Sequence, residues 1–221
     1  MKNHFLSKTL FLFVLTQSLF GQVFSYKSDQ NGQEVEHRIF MDGQYFVATE
    51  FTSNPNQFIK TFGGFYTDNG SEVFVDFEFN SNFSKDSLKS ISISNRGDWQ
   101  KISKSSKPLQ GKWLMAGRVN GDTELRRATN RPRKTMKILV DGYFQWIAFN
   151  AATLSFMGTG GGRYTAENGT YTEFIDYFSK DNNKVGISLT FEYLQKNQDW
   201  HHKGFSSKGD PLHEIWTFRK Q

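Results

Sequence analysis

The sequence predicts an all-β protein made of two tandem antiparallel units, and three observations carry that prediction. Short stretches of alternating apolar and polar residues recur along the chain. Turn signals punctuate them: Asp42-Gly43, Asn69-Gly70, Asp141-Gly142, Asn168-Gly169 and Gly209-Asp210-Pro211. A set of short motifs also appears twice, in the same order, at offsets that drift only from 98 to 101 residues. With 37% hydrophobic and 16% aromatic residues, 23 of them Phe, the 221-residue chain can bury one sizeable core or two small ones. That composition excludes a disordered or collagen-like chain. The absence of Cys excludes disulfides, thiolate metal sites, cysteine nucleophiles and a lipidated N-terminal Cys.

Residues 1–21 have the layout of a secretory signal peptide: Lys2 and Lys8, the apolar run Leu10 to Leu15, then Ser18-Leu19-Phe20-Gly21 before an expected cut at Gln22. The run is too short for a bilayer, which needs about 20 apolar residues, and nothing later in the chain offers a span. An exported chain without Cys points to a bacterial periplasm or the medium. Removing Lys2 and Lys8 leaves 25 basic against 22 acidic residues, a net +3. Six cations, Arg126, Arg127, Arg131, Arg133, Lys134 and Lys137, fall between Leu125 and Lys137 with no acid among them, leaving the rest of the mature chain at −3. The basicity is thus a local patch, suited to an anionic glycan, lipid headgroup or phosphate. Nucleic acid is not expected as the partner of an exported protein.

The first unit spans residues 22–107 and the second 108–221. Ile39-Phe40-Met41-Asp42-Gly43 recurs as Ile138-Leu139-Val140-Asp141-Gly142, and Gly63-Gly64-Phe65-Tyr66-Thr67 as Gly161-Gly162-Arg163-Tyr164-Thr165. Phe74-Val75-Asp76-Phe77 matches Phe174-Ile175-Asp176-Tyr177, and Asp98-Trp99 matches Asp199-Trp200. The polar Lys101–Pro108 stretch reads as a linker. Pro108-Leu109 through Trp113 also resembles Pro211-Leu212 through Trp216, so it either closes the first unit or opens the second. Gly169 to Phe178 sets Tyr171, Glu173, Ile175 and Tyr177 on one strand face; Val185 to Leu194, Tyr143 to Phe149 and Leu212 to Arg219 behave similarly. Only Thr123 to Ala128 has helical promise. About seven strands are expected in the first unit and about eight in the second, a spacing that reads as sandwich or barrel.

Gly111-Lys112-Trp113 is the Gly-x-Trp that begins the first strand of lipocalins. Taken with Gly160 to Thr165, Asn168 to Glu173, Asp199-Trp200-His201 and Pro211 to Trp216, it makes residues 108–221 resemble the small lipocalin-like proteins exported by Bacteroidota. The resemblance implies two tandem lipocalin-like β-barrel units, with an internal pocket in the second. It also implies an association with polysaccharide utilization. The first unit is a degenerate copy: it has Trp99 alone, Phe65 in place of Arg163, and His37 outside any histidine cluster. Its closing strand is expected from the linker region.

His201, His202 and His213 fall within thirteen residues. If Trp200 to Gly204 pairs with Leu212 to Trp216, only one of the first two can join His213, because strand neighbours face opposite ways. Two histidines with Glu173 or Glu214 would suit zinc or iron. No HxH or HxxxH spacing sets two ligands on one face, so hydrogen-bonding histidines are expected, with no metal and no cofactor. Glu173 and Asp176 face opposite ways on one strand, so a barrel interior takes one of them; the resemblance implies Glu173, paired with Arg163 or a Tyr hydroxyl, or else able to act as an acid or base. Gly158 to Gly162 lacks the following helix and Lys of a phosphate loop and reads as a bend or bulge. No nucleophile elbow or HExxH motif is present. Of Trp146, Tyr164, Tyr171, Tyr177, Trp200 and Trp216, most are expected to be ordinary core packing, with Trp200 and Trp216 the preferred pocket aromatics beside the histidine and glutamate positions.

The expected ligand-binding set is Arg163, Tyr164, Glu173, Trp200, His201 and Trp216. The expected function is non-enzymatic binding of an anionic, uronic-acid or sulfated (ulvan-type) oligosaccharide. Two alternatives stand beside it: a sugar lyase or isomerase using Glu173 and His201, and a carrier of a small apolar ligand.

Overall fold

A computed structural model describes residues 21–103 and 105–220. The expected leader lies outside them except for Gly21. The first sheet has seven strands: β1 (Gln22–Gln30), β2 (Gln33–Asp42), β3 (Tyr45–Ser53), β4 (Asn56–Asp68), β5 (Val73–Asn80), β6 (Ser90–Ile93) and β7 (Gln100–Lys101). The short helix α1 (Phe83–Asp86) links β5 to β6. The second sheet has nine: β8 (Gly111–Asn120), β9 (Thr123–Arg126), β10 (Arg133–Val140), β11 (Tyr143–Asn150), β12 (Ser155–Glu167), β13 (Thr170–Phe178), β14 (Ser188–Lys196), β15 (Asp199–Phe205) and β16 (Pro211–Phe218).

The described residues are nearly all β, and all the pairings among them are antiparallel. The second sheet closes on itself because β8 pairs with both β16 and β10, making an eight-stranded barrel with β9 folded back along β8. The first sheet runs β6-β5-β4-β3-β2-β1-β7 and stays open, with β6 and β7 as its edges. Its last pairing comes from where the linker begins, Gln100–Lys101 against Phe24 and Ser25. Leu109 packs in the barrel core and Gly111 starts β8, so the Pro108–Trp113 segment opens the second sheet. Thr123 to Arg126 is the strand β9, not a helix: the Gly121-Asp122 turn folds it back onto Gly117–Asn120.

Three cores result. One fills the barrel, around Trp113, Phe144, Tyr171, Phe191, Trp200 and Trp216. One lies on the first sheet alone, where Ile39, Phe46, Val75 and Phe77 meet Phe24 and Trp99. The third joins the two sheets back to back: Val23, Phe40, Tyr45, Val47 and Phe79 pack on Met136, Ile138, Val140, Ile147 and Phe149 of the outer barrel wall. Buried polar groups cross this seam. Gln145 accepts from Thr49 Oγ1 at 3.0 Å and Tyr177 Oη at 2.9 Å, and donates to Thr61 at 3.2 Å and Thr159 at 3.0 Å. Arg219 holds Glu78 through two bonds of 2.8 and 2.9 Å, and Lys112 reaches Asp42 at 2.6 Å.

The repeated motifs occupy matching places, with one correction to their alignment. Tyr66 and Tyr164 donate their amides to Gln44 and Gly142 carbonyls, and Thr61 and Thr159 bond Ala48 and Trp146 carbonyls. Every such pair is 98 residues apart. The Ile39/Ile138 match, offset by 99, therefore pairs opposite faces: Ile39 lies in the first sheet's own core and Ile138 in the seam. The double glycines explain themselves. Both sheets carry a bulge there, and a Cβ on Gly64 would run into the Asp76 carbonyl, as one on Gly162 would into that of Phe174. The second bulge also splits the expected face of β13. Tyr171, Glu173 and Ile175 point into the barrel, whereas Tyr177 turns out to the seam.

Candidate functional site

The barrel interior gathers an unusual set of charges. Lys137 lies between seam residues Met136 and Ile138, so strand alternation turns it inward beside Leu139. Its Nζ donates to Glu173 Oε1 at 2.7 Å, and both side chains are 5% exposed. Tyr171 Oη donates to the same oxygen at 3.0 Å. Four rings surround the ammonium: Trp200 and Trp216 at 5.1 Å, Tyr171 at 5.4 Å and Phe191 at 5.9 Å from their centroids. His202 stands beside them, 3.9 Å from the Phe191 centroid. Burial, followed by the Lys137 charge, pushes its imidazole down to about 4. Its Nδ1 lies 3.6 Å from Glu214 Oε2. Burial opposes the Glu214 charge, but His202 and Lys137 hold its carboxyl below the usual range. Burial also raises the Tyr171 hydroxyl. The interior is an aromatic core around an ion pair.

The residues singled out from the sequence divide across the barrel wall. Tyr164, Glu173, Trp200 and Trp216 are buried inside. Tyr164 donates its hydroxyl to the Pro108 carbonyl at 3.0 Å, and Glu173 pairs with Lys137 rather than Arg163. Arg163 and His201 face outward, so Glu173 and His201 stand on opposite sides of the wall. The six cations between residues 126 and 137 do not form one surface. Lys137 is internal, and Arg126 is held by Asp199 at 2.5 Å and Glu124 at 2.6 Å. Arg127 Nε bonds the Met115 carbonyl at 2.7 Å, and burial lowers its guanidinium. Lys134 caps the Arg131 carbonyl at 2.8 Å, leaving Arg131 and Arg133 exposed.

Among the described residues, two clefts stand out on the outside. The first follows the seam, in two connected lobes of about 610 and 450 Å³ that share Glu36, Arg38 and Tyr143. Arg38 forms the floor, donating to Glu36 at 2.5 Å and to Asp176 across the seam at 3.2 Å. Its guanidinium lies 5.1 Å from the Tyr143 ring and 5.6 Å from that of Phe51, and its buried Nε has no hydrogen-bond partner. Burial works against the Arg38 charge, but Glu36, Tyr177 and Asp176 outweigh it and raise the group. On the wall, Arg163 is 62% exposed, 3.7 Å from Asp176 and 5.7 Å from the exposed Phe174 ring. Lys27, Tyr26 and Asp98 line the other lobe. Arg163 alone of this lining was legible as a binding residue. Arg38 left no distinct signal, because Val35-Glu36-His37-Arg38-Ile39-Phe40 mixes charged and apolar residues and reads as an ordinary half-exposed strand.

The second cleft, about 740 Å³, lies on β14 to β16 and the β8–β9 hairpin. The hairpin β15–β16 forms in the expected place, pairing Lys203 with His213 and His201 with Ile215. His201 Nδ1 and His213 Nε2 face each other at 3.3 Å, while His202 points into the barrel. Burial and the neighbouring His201 lower the His213 imidazole. Among the described residues, no three His, Cys, Asp or Glu side chains converge as a ready metal site. No model of a known protein family and no curated protein matches the chain.

Proposed function

We propose that the protein is an exported, non-enzymatic binder of oligosaccharides, and that the seam cleft holds the sugar. The cleft itself carries this reading: it is open, elongated, and lined by paired charges beside aromatic rings. Phe174, Tyr143 and Tyr26 offer flat faces for sugar rings, while Glu36, Asp176 and Gln100 offer groups for hydroxyls. The exposed Arg163 guanidinium, fixed over Phe174, has donors to spare for a carboxylate or sulfate, which favours a uronic-acid or sulfated glycan. Glu36 and Asp176 are both engaged by Arg38, which does not deprotonate, so holding hydroxyls suits them better than proton transfer. The separation of Glu173 from His201 removes the pairing that a lyase reading relied on. The closed barrel supports reading the second unit as lipocalin-like, although its interior is occupied by its own aromatic residues.

Titration calorimetry of residues 22–221 with uronic-acid, sulfated and neutral oligosaccharides tests this. Arg163→Ala is expected to weaken an anionic sugar about tenfold, equal to about 1.4 kcal/mol, and Phe174→Ala to weaken all bound sugars. Binding that both variants leave unchanged, or no binding by any sugar, would overturn it.

A further inference from the structure

The second cleft does not contribute to the seam, and its histidine pair has the geometry of metal ligands. We propose that His201 and His213 bind a divalent transition-metal ion, of the zinc or copper class, completed by water from the open side of the cleft.

Zinc bonds imidazole nitrogen at about 2.0–2.1 Å, so two such nitrogens on a tetrahedral ion lie about 3.3 Å apart. His201 Nδ1 and His213 Nε2 are 3.3 Å apart. Their placement follows from the strand register. His213 pairs directly with Lys203, which sets it diagonal to His201, and both rings line the same cleft.

The second observation is the far side of His201. Its Nε2 is buried and has no hydrogen-bond partner, and the nearest carboxylate oxygen, Glu124 Oε1, stands 4.0 Å away. A metal-binding imidazole characteristically turns its other N–H toward a carboxylate, which fixes the tautomer and strengthens the ligand. Glu124 is itself held in place: Arg126 binds it through Nε at 2.9 Å and Nη2 at 2.6 Å, and Asp199 anchors Arg126 at 2.5 Å. Thr217 in turn donates to Asp199. Asp199 and Arg126 thus hold the Glu124 carboxylate in place 4.0 Å from the unpartnered side of His201, where a small turn of the ring would bring the two together. A plain hydrogen bond between two imidazoles would need no such support.

Two imidazoles and water make a weak, open site rather than a closed structural one. Such a site leaves positions for an incoming ligand.

The full mature chain, residues 22–221, would be titrated with Zn²⁺ and Cu²⁺ by calorimetry, with the folded state of each variant checked by circular dichroism. The expected result is one saturable ion per chain. His213→Ala is expected to abolish that phase. Glu124→Gln, which touches neither imidazole directly, is expected to weaken it by about 10- to 100-fold. His37→Ala, remote from the cleft, is expected to change nothing. Saturable binding that survives His213→Ala, an effect of Glu124→Gln below twofold, or no binding to the unaltered chain would each overturn the assignment. The measurement is independent of the seam cleft, so loss of sugar binding leaves it standing.

Discussion

At the scale of single residues, the barrel interior sets the largest energies. Lys137 and Glu173 are buried together, and removing one partner leaves the other charge without water or counter-ion. Lys137→Met is expected to cost about 3–5 kcal/mol in urea unfolding. The double variant Lys137→Met, Glu173→Leu should recover most of that loss, because the surrounding rings accept an apolar pair. A double variant as unstable as the sum of the singles would contradict the pairing. His202 adds a pH dependence. Its imidazole titrates near 4 in the fold against 6.5 when free, so above about pH 6.5 it is neutral in both states and contributes no slope. Between 6.5 and 4 the unfolded chain binds a proton that the fold refuses. Stability should fall by about 3 kcal/mol over that window, and His202→Gln should flatten the fall. An identical pH profile in the variant would show that other groups carry it. Lys137 sits at the end of a basic run, which is why it read as surface charge. Its true place was visible only in its alternation with Leu139.

At the scale of elements, turns and strands were largely legible, whereas faces were not. The Gly158 to Gly162 run read as a bend or bulge and Gly63-Gly64 only as its repeat, yet Gly64 and Gly162 both mark bulges where a carbonyl occupies the space of a Cβ. Gly162→Ala is expected to cost about 1–3 kcal/mol by thermal melting, as overpacking does. Gly97→Ala, whose new methyl meets nothing closer than Asn95 at 3.5 Å, should stay within about 0.5 kcal/mol. Equal costs would remove the steric account of the bulge. Such bulges also defeat simple alternation. One extra residue at Asp176 turns Tyr177 from the barrel to the seam, and a strict two-residue period cannot anticipate that. The same parity argument explains why the best-looking motif match, Ile39 on Ile138, joins opposite faces.

At the scale of the whole molecule, a barrel and an open curled sheet stand back to back, and the contact between them creates the candidate site. None of this was readable from one unit alone. Arg38 comes from the first sheet, Asp176, Arg163 and Tyr143 from the barrel, and they meet only because the outer faces pack. The pocket expected inside the barrel is instead filled by Trp113, Trp200, Trp216 and Tyr171, whose aromatic character was legible but whose mutual packing was not. The seam, not the barrel interior, is therefore the surface proposed to meet a ligand. Hydrogen exchange with and without a saturating uronic-acid oligosaccharide tests that most directly. Slower exchange is predicted at backbone amides near Glu36, Arg38, Tyr143 and Asp176, with Trp200 to His202 and Glu214 to Trp216 unchanged. Protection confined to those barrel strands, with the seam unaffected, would contradict it.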